Sequence, residues 1–98
     1  MDINKIHKAL ASPLRRNILV WLKEPALHFE EQYMPFSNGV SAGQIHERCG
    51  VSQSTISTHL AILHDAGLVT SRRVGQWVFF KRNEDVVNAF IEKLRQSL

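Results

Sequence analysis

Six residues between positions 53 and 59 carry the densest hydrogen-bonding chemistry in the chain: Gln53, Ser54, Thr55, Ser57, Thr58 and His59. Their hydroxyl, amide and imidazole groups can bond base edges or phosphate oxygens, and their small size lets a backbone come close to a nucleic acid. The stretch that holds them, SQSTISTHLAILHDAGLV (52–69), still has the apolar spacing of a helix. At 100° per residue, Leu60 and Leu63 fall within about 40° of Ile56 and form a stripe to bury, with Ser54, Thr58, Ala61 and Asp65 opposite. Ser and Thr are poor helix formers, so a helix that only packed would gain nothing from them in its first turns. A helix entering a major groove by those turns would.

A second group of candidates is cationic. Arg72 and Arg73 precede a glycine-containing turn, Gln76 sits at its tip, and Lys81 and Arg82 follow. Two β-prone runs, VTSRRV and WVFFKR, flank that turn and read as a hairpin whose cations can lie along phosphates or reach a minor groove. Residues 48–83 hold five basic residues against the single acid Asp65, a local charge of +4, whereas 24–31 hold three acids and no Lys or Arg. A basic surface of this kind suits a polyanion. Trp77, Phe79 and Phe80 raise base stacking as another use, but they share strands with Val69 and Val78 and are expected to pack beneath the helices.

Catalytic chemistry finds no arrangement. His64 and Asp65 are sequence neighbours and Ser57 lies two residues from His59, so neither pair is a base with its orienter. Glycine-rich phosphate loops and paired-carboxylate motifs are absent from the sequence, and no catalytic residue or cofactor is expected. His46 and Cys49, at i and i+3, could offer two metal ligands from one helical face. Cys49 also shares the face of Ile45, where a small apolar residue suits the turn that follows, so no metal ligand is assigned. His7, His28 and His64 are scattered and expected to be exposed.

The elements that must position these residues follow from periodicity and punctuation. Ile3, Ile6 and Leu10 mark a first helix. Ser12 and Pro13 start a second, whose Leu14, Ile18, Leu19, Val20, Trp21 and Leu22 wrap it as a buried central element. Pro25 stops that helix at Lys23-Glu24. Residues 24–39 show no period and read as a long connecting loop. Its Leu27, Phe29, Tyr33, Met34 and Phe36 must pack on the domain, extend an interface or line a pocket for an organic effector. Ser41 opens a third helix, with Gln44 completing a capping box and Gly50 ending it. Ser52 caps the helix of the opening stretch and Gly67 ends it, so residues 41–67 have helix-turn-helix spacing. The hairpin at 68–82 is a wing. After Asn83, the residues Val86, Val87, Phe90, Ile91, Leu94 and Leu98 give a closing helix a broad apolar stripe. The order is four helices, a β-hairpin and a fifth helix, a mainly α winged helix-turn-helix forming one domain over 1–98. Residues 1–11 and 84–98 leave more apolar surface than a single small core needs, which points to a homodimer.

The composition agrees with such a domain. The chain has 98 residues, 44% hydrophobic and 21% charged, with net charge +3. Its longest apolar run is the five residues ILVWL (18–22), too short to span a membrane. MDINKIHKAL lacks the apolar core of a signal peptide, and a lone cysteine excludes an internal disulfide, so a cytoplasmic location is expected.

Three runs, ALASPLRRNILVWL, SQSTISTHLAILHDAGLV and RRVGQWVFFKR, together resemble the ArsR/SmtB-type winged-helix repressors of bacteria over almost the whole chain. The resemblance implies a homodimer joined through its first and last helices, by Ile3, Ile6, Leu10, Val87, Phe90, Ile91 and Leu94. It implies two recognition helices on a palindromic double-stranded DNA operator, with Gln53, Ser54, Ser57, Thr58 and His59 at the DNA-reading positions, and repression relieved by an effector. The departures bear on the effector. Where metal-sensing members carry Cys-Val-Cys-Asp or a near variant, this chain has Ser41-Ala42-Gly43-Gln44. The last helix opens with Asp85-Val86-Val87 and no histidine follows His64, so the other common metal site is lacking. The two-cysteine thiol switch is also lacking. The effector is left unidentified, and two further readings stay open: a winged-helix module for protein partners, and a metal sensor with a non-standard site.

Overall fold

Asp2, Ser12, Ser41, Ser52 and Asn83 each place a side-chain oxygen on the backbone N–H three residues ahead, so five helices begin with a satisfied cap. In the computed structural model, which describes residues 1–98, these are α1 (Ile3–Leu10), α2 (Pro13–Lys23), α4 (Ala42–Cys49), α5 (Gln53–Asp65) and α6 (Glu84–Ser97). The sheet consists of β1 (Val40–Ser41), β2 (Val69–Val74) and β3 (Trp77–Arg82), with β3 central and antiparallel to both neighbours. The architecture is the winged helix-turn-helix expected from the sequence.

Two elements lie in the stretch read as a bare loop. Pro25 ends α2 and then serves as the first residue of a one-turn helix, α3 (Pro25–His28). Beyond it a 3₁₀ turn (Phe36–Asn38) leads into β1, which gives the wing a third strand. A two-residue strand has too few alternating positions to stand out in a sequence. Gly39 makes it possible. It has φ 103°, and a Cβ there would sit 2.7 Å from the Phe80 carbonyl oxygen, so only glycine lets the chain pass this close to β3.

One core joins the helices. Ile6 and Ala9 of α1, Ile18, Leu19 and Leu22 of α2, Val40 of β1, Ile45 of α4, and Ile56, Leu60 and Leu63 of α5 form a single cluster, with Leu68, Val69 and Phe90 beside them. Val20 is 56% exposed, so α2 is buried on one side and not wrapped as its composition suggested. The C-terminus of α5 turns into the wing through a tight reversal. Gly67 (φ 79°) donates to His64 and Leu68 to Leu63, the paired bonds of a Schellman end, while Leu63 and Leu68 are both buried.

The segment 30–38 lies across the outer face of the sheet. The Gln32 Nε2 donates to the Gly39 carbonyl (2.7 Å), and its Oε1 accepts from the Ser41 N–H (3.1 Å). Ser41 caps α4 as expected, but the second half of the capping box does not form. Gln44 instead donates to the Glu30 carbonyl, because Gln32 already holds the Ser41 N–H that Gln44 would have taken. Phe79 is buried under this segment at 2% exposure, and Phe80 packs partly against the core from the other side of β3. Trp77 departs from expectation: it is 51% exposed, since β1 ends at Ser41 and no strand continues beside it. Of the large residues in 24–39, Phe29 and Phe36 pack against the core and Phe29 meets the Trp21 ring edge-on, whereas Leu27 and Tyr33 stay in solvent. His28 is half-buried, not exposed, while His7 and His64 are exposed.

A polar brace ties α5 to the first two helices. The Arg15 guanidinium donates to the Ala9 carbonyl (2.7 Å), to the Lys8 carbonyl (3.0 Å) and lies 3.0 Å from His59 Nδ1. A guanidinium only donates, so Nδ1 is the acceptor and the imidazole is neutral with its proton on Nε2. Burial, and then the Arg15 charge, hold the His59 pKa below the usual histidine value. A histidine whose folded pKa is depressed contributes stability above its unfolded pKa, and that contribution is lost as pH falls through the folded value. The wild-type urea midpoint should therefore drop between pH 7.5 and 5.5. His59→Asn, which retains an acceptor without a titrating ring, should show a smaller drop. Equal drops in the two proteins would mean that His59 does not carry this dependence.

Candidate nucleic-acid interface

Helix α5 presents one buried and one open side. Ile56, Leu60 and Leu63 are at most 4% exposed, while Gln53, Ser54, Thr55, Ser57, Thr58, Ala61 and Asp65 face solvent. The open side is polar at the N-terminal end, where Ser52 caps the helix by accepting from the Thr55 N–H. Gly50 (φ 70°) closes α4, and only residues 50–52 separate the two helices. The N–H groups of Gln53 and Ser54 precede the first intrahelical bond, Ile56 to Ser52, and together with the helix dipole they favour an anion.

The polar side chains on this face are not equivalent. The Thr55 hydroxyl lies 2.8 Å from the Ser52 hydroxyl and Ser54 Oγ lies 3.3 Å from it, so both belong to the cap. Thr58 donates its hydroxyl back to the Ser54 carbonyl (3.0 Å), leaving it only as an acceptor. His59 is half-buried and its Nδ1 is taken by Arg15. Gln53 and Ser57 keep both donor and acceptor capacity free. Sequence alone groups all six together, since neither the i−4 back-bond nor a partner 44 residues away leaves a mark in local spacing.

Strand register divides the wing cations. Cross-strand partners share a face and neighbours alternate. Arg73 pairs with Val78 and Ser71 with Phe80, which places these four residues on the side toward α5. There Ser71, Val78 and Phe80 join Ser57, Thr58, Ala61 and Asp65 in lining an open groove of about 830 Å³ between helix and wing. Arg72 lies on the opposite side and donates to Asn38 Oδ1 (2.8 Å), and Lys81 donates to the Ser37 carbonyl (3.2 Å). Arg82 makes a two-pronged pair with Glu84 (2.8 and 2.7 Å), whose hydrogen bonds hold the Glu84 carboxyl below the usual range. Arg73 is the wing cation left free. Gln76 is exposed in the two-residue turn Gly75-Gln76. Asp65, the one acid of the basic segment, is paired with Lys5 of α1 at 3.2 Å. Arg48 lies 4.7 Å from the Trp21 ring centre, stacked on the domain and removed from the wing.

Metal-ligand chemistry does not converge anywhere: no three His, Cys, Asp or Glu side chains come together at a spacing that could hold an ion. Cys49 packs against the core, and burial, opposed by Arg48, raises its thiol pKa, which keeps it in the weakly nucleophilic protonated form. On the proposed interface helices, Ile6 has no exposed surface and Phe90 has 7%, so both are covered by their own chain. His7 meets Phe90 edge-on at 5.5 Å, which seats α6 against α1. Ile3, Leu10, Val87 and Leu94 are half-buried, Ile91 is 55% exposed and Leu98 is exposed.

Residues 40–71, from β1 through the helix-turn-helix into the wing, match the model of the bacterial regulatory protein family arsR. The chain is 35% identical over 100 residues to the uncharacterized HTH-type transcriptional regulator YbzH of Bacillus subtilis, covering 100% of both proteins. It is 32% identical over 85 residues to the transcriptional repressor SdpR of the same organism, covering 87% of this chain and 80% of SdpR. Among solved structures it is similar to the homodimeric winged helix-turn-helix DNA-binding domain of Mb0332 from Mycobacterium bovis, with TM-score 0.67 and 25% identity over 97% of this chain and 77% of that one. A cap-to-cap helix-turn-helix, a wing beside it and a relative aligned over its full length lead to one assignment: the chain belongs to the ArsR family of DNA-binding transcriptional regulators, which are not enzymes.

Proposed function

We propose that this chain is a homodimeric repressor that binds a palindromic double-stranded operator and is released by a signal other than metal at the family's usual sites. One observation carries the reading. Ser57 and Thr58 of α5 line one groove with Ser71 and Val78 of the wing, and the free Arg73 is the cross-strand partner of Val78, so the polar side of the helix and a phosphate-directed cation stand on the same side of the sheet. In this reading Gln53 and Ser57 read base edges, helped by Ser54 and Thr58. Thr55 and His59 hold the helix in place. Arg73 and Gln76 meet phosphate or the minor groove, with Arg72 in a lesser role. Residues 41–67 form the DNA-reading unit, 68–82 the wing, and 1–11 with 84–98 the dimerisation helices. Repression is favoured by the likeness to SdpR. In this reading the chain acts where its operator lies, in the cytoplasm.

The homodimer is supported by the uncovered Ile91 and Leu98 and the half-covered Ile3, Leu10, Val87 and Leu94, and by the homodimeric state of Mb0332. Ile6 and Phe90 then act from below, by fixing the angle between α1 and α6. A signal other than metal at those sites is favoured by Ser41-Ala42-Gly43-Gln44, which offers no thiolate or carboxylate, and by the lone Cys49.

The reading is tested first by separating recognition from anchoring. Gln53→Ala should cost about 1–3 kcal/mol on DNA selected from a random pool and leave random DNA almost unaffected. Arg73→Ala should weaken both and lower the salt slope by about one unit for each phosphate no longer neutralised. Arg72→Ala should do less, because Asn38 already holds that guanidinium. Equal losses for Gln53→Ala on both DNAs would remove sequence reading from this helix position.

The assembly is tested by sedimentation. The wild type should be dimeric at micromolar concentration, and Ile91→Glu should dissociate it and abolish tight binding to a palindrome. A stable wild-type monomer would sink the dimer.

Neither chelator nor added zinc should change operator affinity by as much as tenfold, which is about 1.4 kcal/mol. A change of that size would restore a metal-sensing role.

A further inference from the structure

We propose that the corner between the wing and the segment crossing it binds a small organic cation, a quaternary or protonated alkylamine, and that this is where the effector acts. The effector role rests on the regulatory reading above; the cation site does not. The corner is a cavity of about 260 Å³ whose walls are Trp77 and Phe79 of β3, Tyr33 and Gln32 of the crossing segment, and Gln44 of α4. Glu30, Glu31 and Glu47 stand around it, and no Lys, Arg or His lines it.

Three features select the ligand class. The first is charge. In a chain of net charge +3, three carboxylates share this corner, and the chain's three ion pairs (Lys5–Asp65, Arg82–Glu84 and Arg95–Glu92) all lie elsewhere. All three carboxylates are exposed, and Arg48 and His28 share only the neighbouring hollow with Glu30 and Glu47, so the field at this corner repels an anion and favours a cation over a neutral molecule of the same shape.

The second is the aromatic wall. Trp77 is 51% exposed and Tyr33 is 92% exposed, although both are ring systems whose faces attract cations within about 6 Å, Trp most strongly. A metal ion would need converging ligands, and these carboxylates are not grouped at metal-binding spacing. A diffuse organic cation needs only the faces of the rings and the field of the acids.

The third is a fixed frame. Gln32 is bonded at both ends of its amide, to Gly39 and Ser41, and Gln44 holds the Glu30 carbonyl, so the rim is pinned to β1 and α4 before any ligand arrives. Preorganisation of this kind lowers the ordering cost of binding. The location supplies the regulatory consequence. A ligand here touches Trp77, which directly follows the Gly75-Gln76 turn of the wing, and Gln44 and Glu47 of α4, the first helix of the DNA-reading unit. Its binding energy therefore depends on how the wing sits against that unit, which is the requirement for coupling to DNA.

Choline is the probe, with 3,3-dimethylbutan-1-ol as its uncharged isostere, both at constant ionic strength. In the 98-residue chain carrying Trp21→Phe, Trp77 is the sole indole, and its emission should change saturably with choline and respond at least tenfold more weakly to the alcohol. Calorimetry on the unaltered chain provides the same comparison without relying on that substitution. Glu47→Gln should weaken choline binding about tenfold with circular dichroism unchanged. Absence of a saturable response, an equal response to the alcohol, or an unaffected Glu47→Gln protein would overturn the site, as would calcium chloride alone reproducing the response. Choline should also shift the affinity for selected DNA at least threefold in the wild type and not in Glu47→Gln. An unchanged affinity would overturn the effector role. A protein that bound no DNA at all would instead overturn the regulatory reading, and the emission titration would still decide the cation site.

Discussion

The fold depends on one demand placed on α5: a single helix must be buried along one stripe and left bare along the other. Ile56, Leu60 and Leu63 meet the first half by closing the core against α1, α2 and α4. Truncating a buried leucine of this kind typically costs about 2–5 kcal/mol, a large share of a small domain's stability. The stripe therefore fixes the rotation of the helix about its own axis, and that rotation alone decides which side chains face outward. The two ends fix its position along the axis. Ser52 satisfies the first turn, and the reversal at Gly67 buries Leu68 against the same core, so the wing starts where the helix stops. Arg15 then resists a tilt by bonding the end of α1 and the middle of α5 with one guanidinium.

What can be read from sequence follows the same division. Elements with a clear period or a strong stop are legible. The stripe of α5, the Ser caps, the glycine ends and the hairpin are all local features, and the helix-turn-helix follows from them alone. The crossing segment is not legible, because its order comes from single non-periodic bonds: Gln32 to Gly39 and Ser41 a few residues ahead, and Asn38 and Ser37 to Arg72 and Lys81 far along the chain. The same cause blurs the site. Composition marks the polar face of α5, but it cannot separate Gln53 and Ser57 from Thr55, Thr58 and His59, whose bonding capacity is partly spent within the protein. Trp77 escapes the pattern because alternation along β3 gives no sign of the point where β1 gives out and the packed surface ends.

Charge is distributed with equal economy. The wing holds four cations, yet Arg72, Lys81 and Arg82 each have a partner in the chain, and only Arg73 is uncommitted on the side toward α5. The acids of 30–31 and 47 are kept on the far side of the sheet from the helix–wing groove. The sheet thus keeps the free Arg73 and the acids of 30–31 and 47 on opposite sides, with Arg72 and Lys81 bonded to the crossing segment, within a domain whose longest dimension is 41 Å. At physiological salt, where screening acts over about 8 Å, such separation lets each face act on its own partner.

The strand order β1-β3-β2 leaves β2 with one side unpaired. An open strand of six residues is a template onto which a second polypeptide can add its own strand, a common route to clumping when proteins are concentrated. Here that border carries Thr70, Ser71, Arg72 and Arg73, all exposed, and no run of bulky apolar side chains. Two adjacent arginines repel an incoming copy of the same strand. The residues that make the wing attractive to a polyanion therefore also protect the molecule against self-association through its sheet, and a variant stripped of both charges would lose a guard against aggregation along with its anchor.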